Sequence, residues 1–307
     1  MTRNYGPRPG VGRGWFKAHG LGNDYLVFEQ GQAWRADPEN VAGVCHRWEG
    51  VGGDGIVVLM HERPPARFPL RMFNPDGSEF ERSGNGLRVL ASYLHHRGLV
   101  RGEAFEVECG GDRIRMQVHA RDGAGRYDVE VEMGRALVGG DGVALAGGAL
   151  VNGALALGAE RTVPLVPVSV GNPHAVVFAD ALGDPFETAT LDRLGPALAT
   201  HQAFAHGTNV QLVRALPPSA LEILIWERGV GPTSASGTSA CATAAAAVST
   251  GRLAPGEIEV RMQGGSFRVR VSPSLDVVLR GPVQEVASGE LTEGFLRGLN
   301  GRADRAS

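Results

Sequence analysis

Asn74-Pro75-Asp76-Gly77-Ser78-Glu79-Phe80-Glu81-Arg82-Ser83-Gly84-Asn85-Gly86-Leu87-Arg88 is echoed in outline by Glu227-Arg228-Gly229-Val230-Gly231-Pro232-Thr233-Ser234-Ala235-Ser236-Gly237-Thr238-Ser239-Ala240. Each copy is a polar turn leading to Ser-Gly-(Asn/Thr)-(Gly/Ser), then a run that reads as a buried helix. In each, a polar residue stands nine positions before the serine: Asn74 before Ser83, Glu227 before Ser236. A single copy can arise by chance in an unrelated chain. Two copies in two halves of one chain point to two helix N-termini serving one site.

Upstream of the first copy, residues 15–29 read as two strands around Gly20-Leu21-Gly22-Asn23-Asp24, where glycine and asparagine permit positive φ. Asp37-Pro38 starts a helix running to near Gly50, with Asp as N-cap and Pro in the first helical position. Val51-Gly52-Gly53-Asp54-Gly55 is a tight connection into a strand over residues 56–60, and residues 68–73 form the strand that enters the motif. The motif's own helix, residues 84–97, carries Leu87, Leu90 and Leu94 at helical spacing and stops at Gly98.

Downstream, strands are expected over residues 105–109, 113–120 and 127–133, and the Gly/Ala-rich residues 136–158 cross into a second domain. There, strands are expected over 163–170, 175–178, 209–215 and 221–226, with a helix over 190–201 interrupted at Gly195-Pro196. The second copy opens a helix over 238–250, so rich in Ala that it can be enclosed on every side. Strands over 258–271, with a turn at Gly264-Gly265, and over 275–286 follow. The class is α+β: each half sets many short strands around one apolar or small-residue helix.

The 307 residues suit two domains of about 150 residues each. Hydrophobic residues make up 43% of the chain, enough for ordinary cores. A net charge of −3 argues against nucleic acid as a partner. No apolar run approaches the roughly 20 residues of a membrane helix, so no membrane is expected either. Residues 1–14, rich in Gly, Pro and Arg, lack the apolar middle of a signal peptide; they read as a disordered extension of a cytoplasmic protein. Cys45, Cys109 and Cys241 are too few and too scattered for a disulfide framework or a zinc site. Each reads as a small buried residue, and no metal is expected. The Gly-rich turns lack the strand–GxGxxG–helix context of a dinucleotide site.

A helix N-terminus leaves backbone N–H groups unpaired and carries about half a positive charge, so it binds carboxylate. Two such ends, at Gly84-Asn85 and Gly237-Thr238, suit one α-carboxylate, with the residue before each helix facing the α-carbon from opposite sides. That arrangement suits removal of a proton from one face and delivery to the other.

Together with His19-Gly20-Leu21-Gly22-Asn23-Asp24, Gly50-Val51-Gly52-Gly53-Asp54-Gly55, Gly171-Asn172-Pro173-His174 and Thr208-Asn209-Val210, the two copies resemble the diaminopimelate epimerase family. The pieces follow the family's order and cover nearly the whole chain from Trp15 onward. The resemblance implies two similar domains, each a mainly antiparallel β-barrel-like sheet wrapped around a central helix: residues 15–135 with 283–307, and residues 136–282. It implies cofactor-free inversion at a carbon α to an amino and a carboxyl group, LL- to meso-diaminopimelate, on the lysine and cell-wall route. It puts Asn23, Asn74, Asn172, Asn209, Glu227 and Arg228 among the substrate contacts. It puts Gly84, Asn85, Gly237 and Thr238 where backbone amides hold the reacting carboxylate. His174 and Glu227 match catalytically important polar partners, and Ser83 and Ser236 match the two catalytic cysteines. The expected partner is a small-molecule amino acid, with a homodimer left open.

Serine at those two positions changes the chemistry. A thiol titrates near about 8.5, whereas an alcohol behaves more like water at roughly 15.7. That gap of about seven orders of magnitude in acidity costs on the order of 10 kcal/mol in forming the base. A helix dipole contributes at most about 2 kcal/mol against it. Cys241, about 7 Å along the helix axis from Ser236, is placed for packing and not for rescue. Serine is also a preferred N-cap, which gives each a purely structural role. The working reading is a His174/Glu227 acid–base pair assisted by the serines. Two alternatives stand beside it: an isomerase of the same fold acting on another amino or unsaturated acid, and a silent protein that keeps the carboxylate cradle. Gly55, where some members have a substrate-touching Gln, bears on substrate choice. Pro232, in place of the usual Glu, and Ala287, where a dimer-contact Tyr is common, are further departures.

Overall fold

The computed structural model describes residues 6–61, 67–80, 83–140, 142–143, 145, 150–151, 153–158 and 161–303. It divides into two compact units, Met1–Val131 with Pro282–Ser307, and Glu132–Gly281.

In the first unit β1 (Gly10–Gly20) and β2 (Asn23–Gln30) form an antiparallel hairpin around Leu21-Gly22, both at positive φ, and β3 (Trp34–Arg35) pairs with the start of β1. Helix α1 (Pro38–Cys45) crosses to β4 (Ile56–Leu59), which lies parallel to β2. Strand β5 (Arg67–Phe73) runs antiparallel to β4 and turns back as β6 (Glu79–Phe80) before α2 (Gly84–His96). After α2, β7 (Phe105–Cys109) lies parallel to β5 and continues antiparallel through β8 (Asp112–Arg121) to β9 (Arg126–Arg135). The last strand of the chain, Asp276–Glu290, pairs with both β9 and β1 and so closes the ring.

The second unit repeats the plan. After β10 (Leu137–Val138) a small sheet of β11 (Leu150–Val151), β12 (Ala154–Leu157) and β13 (Arg161–Pro164) intervenes. Then β14 (Val166–Ser169) and β15 (Pro173–Phe178) run antiparallel, and α3 (Ala179–Leu182) and α4 (Thr188–Ala199) cross to β16 (Asn209–Leu216), parallel to β15. Strands β17 (Ala220–Glu227) and β18 (Gly231–Thr233) form the hairpin before α5 (Gly237–Ser249). Beyond α5, β19 (Gly256–Met262) is parallel to β17 and is followed by antiparallel β20 (Gly265–Val271) and β21 (Asp276–Glu290). The order antiparallel, parallel, antiparallel, parallel, antiparallel, antiparallel is thus the same in both units. Each parallel step is the one bridged by helix, as a crossover requires.

Both central helices are wrapped by strands. Residues Gly84 to Leu94 of α2 are all buried, as is almost every residue from Gly237 to Ala247 of α5. Burying Leu87, Leu90 and Leu94 contributes roughly 2 kcal/mol each. The buried positions of α5 are mostly Ala where α2 has Leu, so α5 fills its surroundings with smaller side chains. The helices also stop alike: Gly98 and Gly251, both in the left-handed region, stand fifteen residues after Ser83 and Ser236. The next N–H donates back to Leu94 O and to Ala247 O respectively, each at 2.9 Å.

Several expectations need correction. The disordered extension does not reach residue 14, because β1 starts at Gly10 and Val11 packs in the core. Residues 1–5 lie outside the described residues, as do 141, 144, 146–149 and 152 of the crossing stretch. Helix α1 ends at Cys45 and not near Gly50, since the N–H groups of Val51 and Gly52 turn back onto Val44 O. The single strand expected over 163–170 is two strands in different sheets, broken after Pro164, which has no N–H to continue a ladder. Helix α4 is continuous through Gly195-Pro196. Pro196 sits on the exposed face beside exposed Asp192, whose carbonyl loses its partner where water can serve. Gly195 meanwhile lets the Trp226 ring approach to 2.6 Å from where a Cβ would stand. Helix α6 (Glu293–Ala303) adds to the elements expected from the sequence, and Leu291, Leu296 and Leu299 join the core around α1.

Candidate active site

In each unit the candidate site lies at the N-terminus of the central helix. In the first, Ser83 has extended backbone (φ −132°, ψ 120°) and its Oγ accepts the Gly86 N–H at 3.1 Å. The cap uses up the third amide of α2 and leaves those of Gly84 and Asn85 for a ligand. Asn85 is itself held: its Nδ2 donates to Asn23 Oδ1 at 2.7 Å and to Gly20 O at 3.1 Å, and its Oδ1 accepts from Arg88. A Cβ on Gly20 would fall 2.3 Å from Asn85 Oδ1, so only glycine fits there.

Behind Asn23 lies a cluster of charges. Asn23 Nδ2 donates to Asp54 Oδ2 at 2.8 Å, and the same oxygen accepts the Asp24 N–H at 3.0 Å. Arg47 reaches Asp24 at 2.8 Å and Asp54 at 2.6 Å, while Lys17 Nζ stands 2.9 Å from Asp24 and donates to Gly52 O at 2.8 Å. Burial works against the Asp24 carboxylate, but hydrogen bonds from Arg47 and Lys17 outweigh it and hold its pKa at about 2. Asp54, buried beside that carboxylate, is pushed up. Cys45 is pushed up to about 12, first by burial and then by Asp24 and Asp54. Asn74, at the end of β5, closes its own turn by donating from Nδ2 to Ser78 Oγ at 2.9 Å.

In the second unit Ser236 has the same extended backbone (φ −149°, ψ 123°) but caps no amide; its Oγ lies 3.5 Å from Thr238 Oγ1. Helix α5 therefore keeps the amides of Gly237, Thr238 and Ser239 unused by its cap. Asn209 ties two loops together, donating to Pro173 O at 3.2 Å and accepting the Arg228 N–H at 2.9 Å. Arg228 is exposed and its guanidinium donates to His206 O, while half-buried Glu227 ends β17.

His174 is fully buried, and both ring nitrogens are engaged: Nε2 lies 2.9 Å from Asn172 Oδ1 and Nδ1 lies 3.1 Å from Gln211 Nε2. Burial, with the charge of Arg228, pushes its pKa down to about 3 against the hydrogen bond with Gln211. In this arrangement the His174 ring is held between Asn172 and Gln211.

A family model described as diaminopimelate epimerase matches residues 15–138 and 166–286. The chain belongs to the diaminopimelate epimerase family. A diaminopimelate epimerase of Desulforudis audaxviator is 42% identical over 281 residues, covering 89% of this chain and 97% of that protein. One from Desulfitobacterium hafniense is 36% identical over 290 residues, covering 91% and 98%. Among solved structures, a hydroxyproline epimerase from Agrobacterium vitis with bound trans-4-hydroxy-L-proline superposes with a TM-score of 0.66 at 15% identity, covering 91% and 92%. A phenazine biosynthesis protein of the PhzF family from Bacillus anthracis gives 0.59 at 14%, covering 91% and 99%. At that identity the likeness is one of fold.

Within this family fold, Asn23, Asn85 and the α2 N-terminus come together in the first unit, and Asn172, His174, Asn209 and the backbone of Arg228 in the second. The sequence reading missed Lys17, Arg47 and Gln211 and gave no role to Asp24 and Asp54, although both aspartates stand inside the family's motif segments. Among the described residues no cluster of His, Cys, Asp and Glu could hold a metal ion. No described helix is long and apolar enough to cross a membrane.

Proposed function

We propose that this chain interconverts LL- and meso-diaminopimelate without a cofactor, a step on the lysine and cell-wall route. The reading rests on one observation: two helices opened by Ser-Gly, each fed by a hairpin, at equivalent places of a duplicated fold in a diaminopimelate epimerase family member. Each half-site offers helix N-terminal amides to a carboxylate, those of Gly84 and Asn85 in the first unit and those of Gly237 and Thr238 in the second, while Asn23 and Asn74 in the first and Asn172, Asn209 and Arg228 in the second serve the rest of the substrate. Ser83 assists: with its oxygen accepting the Gly86 N–H, its own O–H remains available to donate a hydrogen bond at the reacting centre. Glu227 is the carboxylate of the second half-site and takes part in the proton transfer, with Ser236 beside the carboxylate cradle.

A second reading has its own support. Ser83 meets a backbone amide and Ser236 a threonine hydroxyl, and neither neighbour is a base. On that reading the chain binds diaminopimelate and leaves its α-hydrogen in place. Proton NMR in D2O with LL-diaminopimelate decides between them. Loss of the α-hydrogen signal with formation of the meso form, abolished by Glu227→Gln, supports the epimerase. Binding without exchange supports the silent binder.

A further inference from the structure

Gln211 occupies a place where sequence alone assigns nothing. It lies on β16, two residues past Asn209, and its side chain is fully buried between His174 and the first turn of α5. Its Nε2 donates to Ser239 Oγ at 3.0 Å and stands 3.1 Å from His174 Nδ1. Its Oε1 meets no hydrogen-bond donor among the described residues. A carboxamide enclosed on those terms costs desolvation that Leu or Met would avoid, so packing alone does not account for it.

The polarity of the chain follows from the donors. An amide NH2 only donates, so His174 Nδ1 is the acceptor. The buried neutral ring then carries its one proton on Nε2, which lies 2.9 Å from Asn172 Oδ1. With its oxygen turned inward to that proton, Asn172 offers its NH2 to a ligand. We propose that Gln211 is a positioning residue that fixes the tautomer of His174 and, through it, presents Asn172 as a donor to a carboxylate rather than an acceptor for an ammonium group. This rests on the reading of Asn172 as a substrate contact. Ser239, at the other end, ties the same chain to the helix turn that follows Ser236. The reversed amide would place Oε1 on a protonated Nδ1, move the lone pair to Nε2 and turn Asn172 round, so the two arrangements differ in an observable.

The test uses the full chain with 15N-labelled histidine, the His174 signals being assigned by their loss in His174→Gln. The expected result is a protonated Nε2 and an unprotonated Nδ1, unchanged from about pH 5 to about pH 8, where an ordinary histidine titrates. An Nδ1–H tautomer, or titration in that range, overturns the proposal. A second arm compares binding of LL-diaminopimelate with L-lysine, which lacks the distal carboxylate. Gln211→Met is expected to lower the preference for diaminopimelate about tenfold, roughly 1.4 kcal/mol, while the fold persists by circular dichroism. A folded variant with unchanged preference overturns the proposal. The tautomer measurement needs neither turnover nor ligand, so absence of epimerisation sinks the functional reading without touching this one.

Discussion

The two half-sites are built on one plan and wired differently. In the first unit the serine caps its helix, and the loop behind it is held by ions: Lys17, Asp24, Arg47 and Asp54, joined to Asn85 through Asn23. In the second unit the serine caps nothing, and the support is an uncharged, buried chain from Ser239 through Gln211 and His174 to Asn172. Equivalent topology therefore fixes where the helix ends lie but not how they are stiffened. Ion pairs answer to salt, whereas the neutral chain does not; it answers to acid instead, because His174, held neutral by burial, loses stability relative to the unfolded chain as pH falls below its ordinary value of 6.5.

The largest effect expected comes from making both half-sites alike in chemistry. Replacing Ser83 and Ser236 together by Cys restores a group that ionises near about 8.5, and α-hydrogen exchange should rise by roughly a thousandfold or more. Single replacements should give much less, because each leaves one face without a thiol. Deuterium incorporation into LL-diaminopimelate measures this. Equal rates for the serine and double-cysteine proteins would mean that the serines do not face the reacting carbon.

Next comes the charge cluster. Asp24 titrates at about 2 when folded against an ordinary value of 3.8, so its stabilisation is complete above 3.8 and is lost as pH falls through that range. The difference amounts to about 2 kcal/mol, partly offset because Asp54 shifts upward and is relieved by protonation. Arg47 is half-exposed and its ion pairs are screened by solvent, so Arg47→Ala should cost on the order of 1 kcal/mol near neutral pH, leaving two carboxylates facing each other with Lys17 alone. It should also flatten the loss of stability between about pH 4 and about pH 2. Urea titrations at several pH values report both. An unchanged acid limb would show that Arg47 is a solvated surface charge.

Much of this was legible in the sequence. The paired Ser-Gly motifs gave both helix starts, and Gly98 and Gly251 mark both stops at equal distance. What stayed hidden depends on partners far along the chain. The enclosure of His174 depends on Gln211, 37 residues away, and Asn23 meets Asp54 at a separation of 31. No local pattern announces either. The break at Pro164 and helix α6 are different: Pro164, the Thr292-Glu293 start and the Leu296/Leu299 spacing are local signals that the sequence itself carries. The serines themselves were legible as residues, but whether each caps its helix is decided by a rotamer, which sequence does not carry.

That rotamer difference yields the smallest and sharpest prediction. A serine N-cap is worth about 1 kcal/mol against alanine when its oxygen accepts a helix amide. Ser83 does so, and Ser83→Ala should lower stability by about that amount, since the Gly86 N–H loses its acceptor in a half-buried place. Ser236 has the same extended backbone and the same burial class, yet no helix N–H points to its oxygen. Ser236→Ala should therefore change stability by no more than a few tenths of a kcal/mol. Both variants keep the Gly that follows and the extended backbone before it, so the pair isolates the hydroxyl. Equal losses would mean that Ser236 turns to cap α5 in solution, and the two half-sites would then differ only in what stands behind them. Unequal losses leave Ser236 as the hydroxyl not committed to its own helix and therefore the freer of the two to meet a ligand.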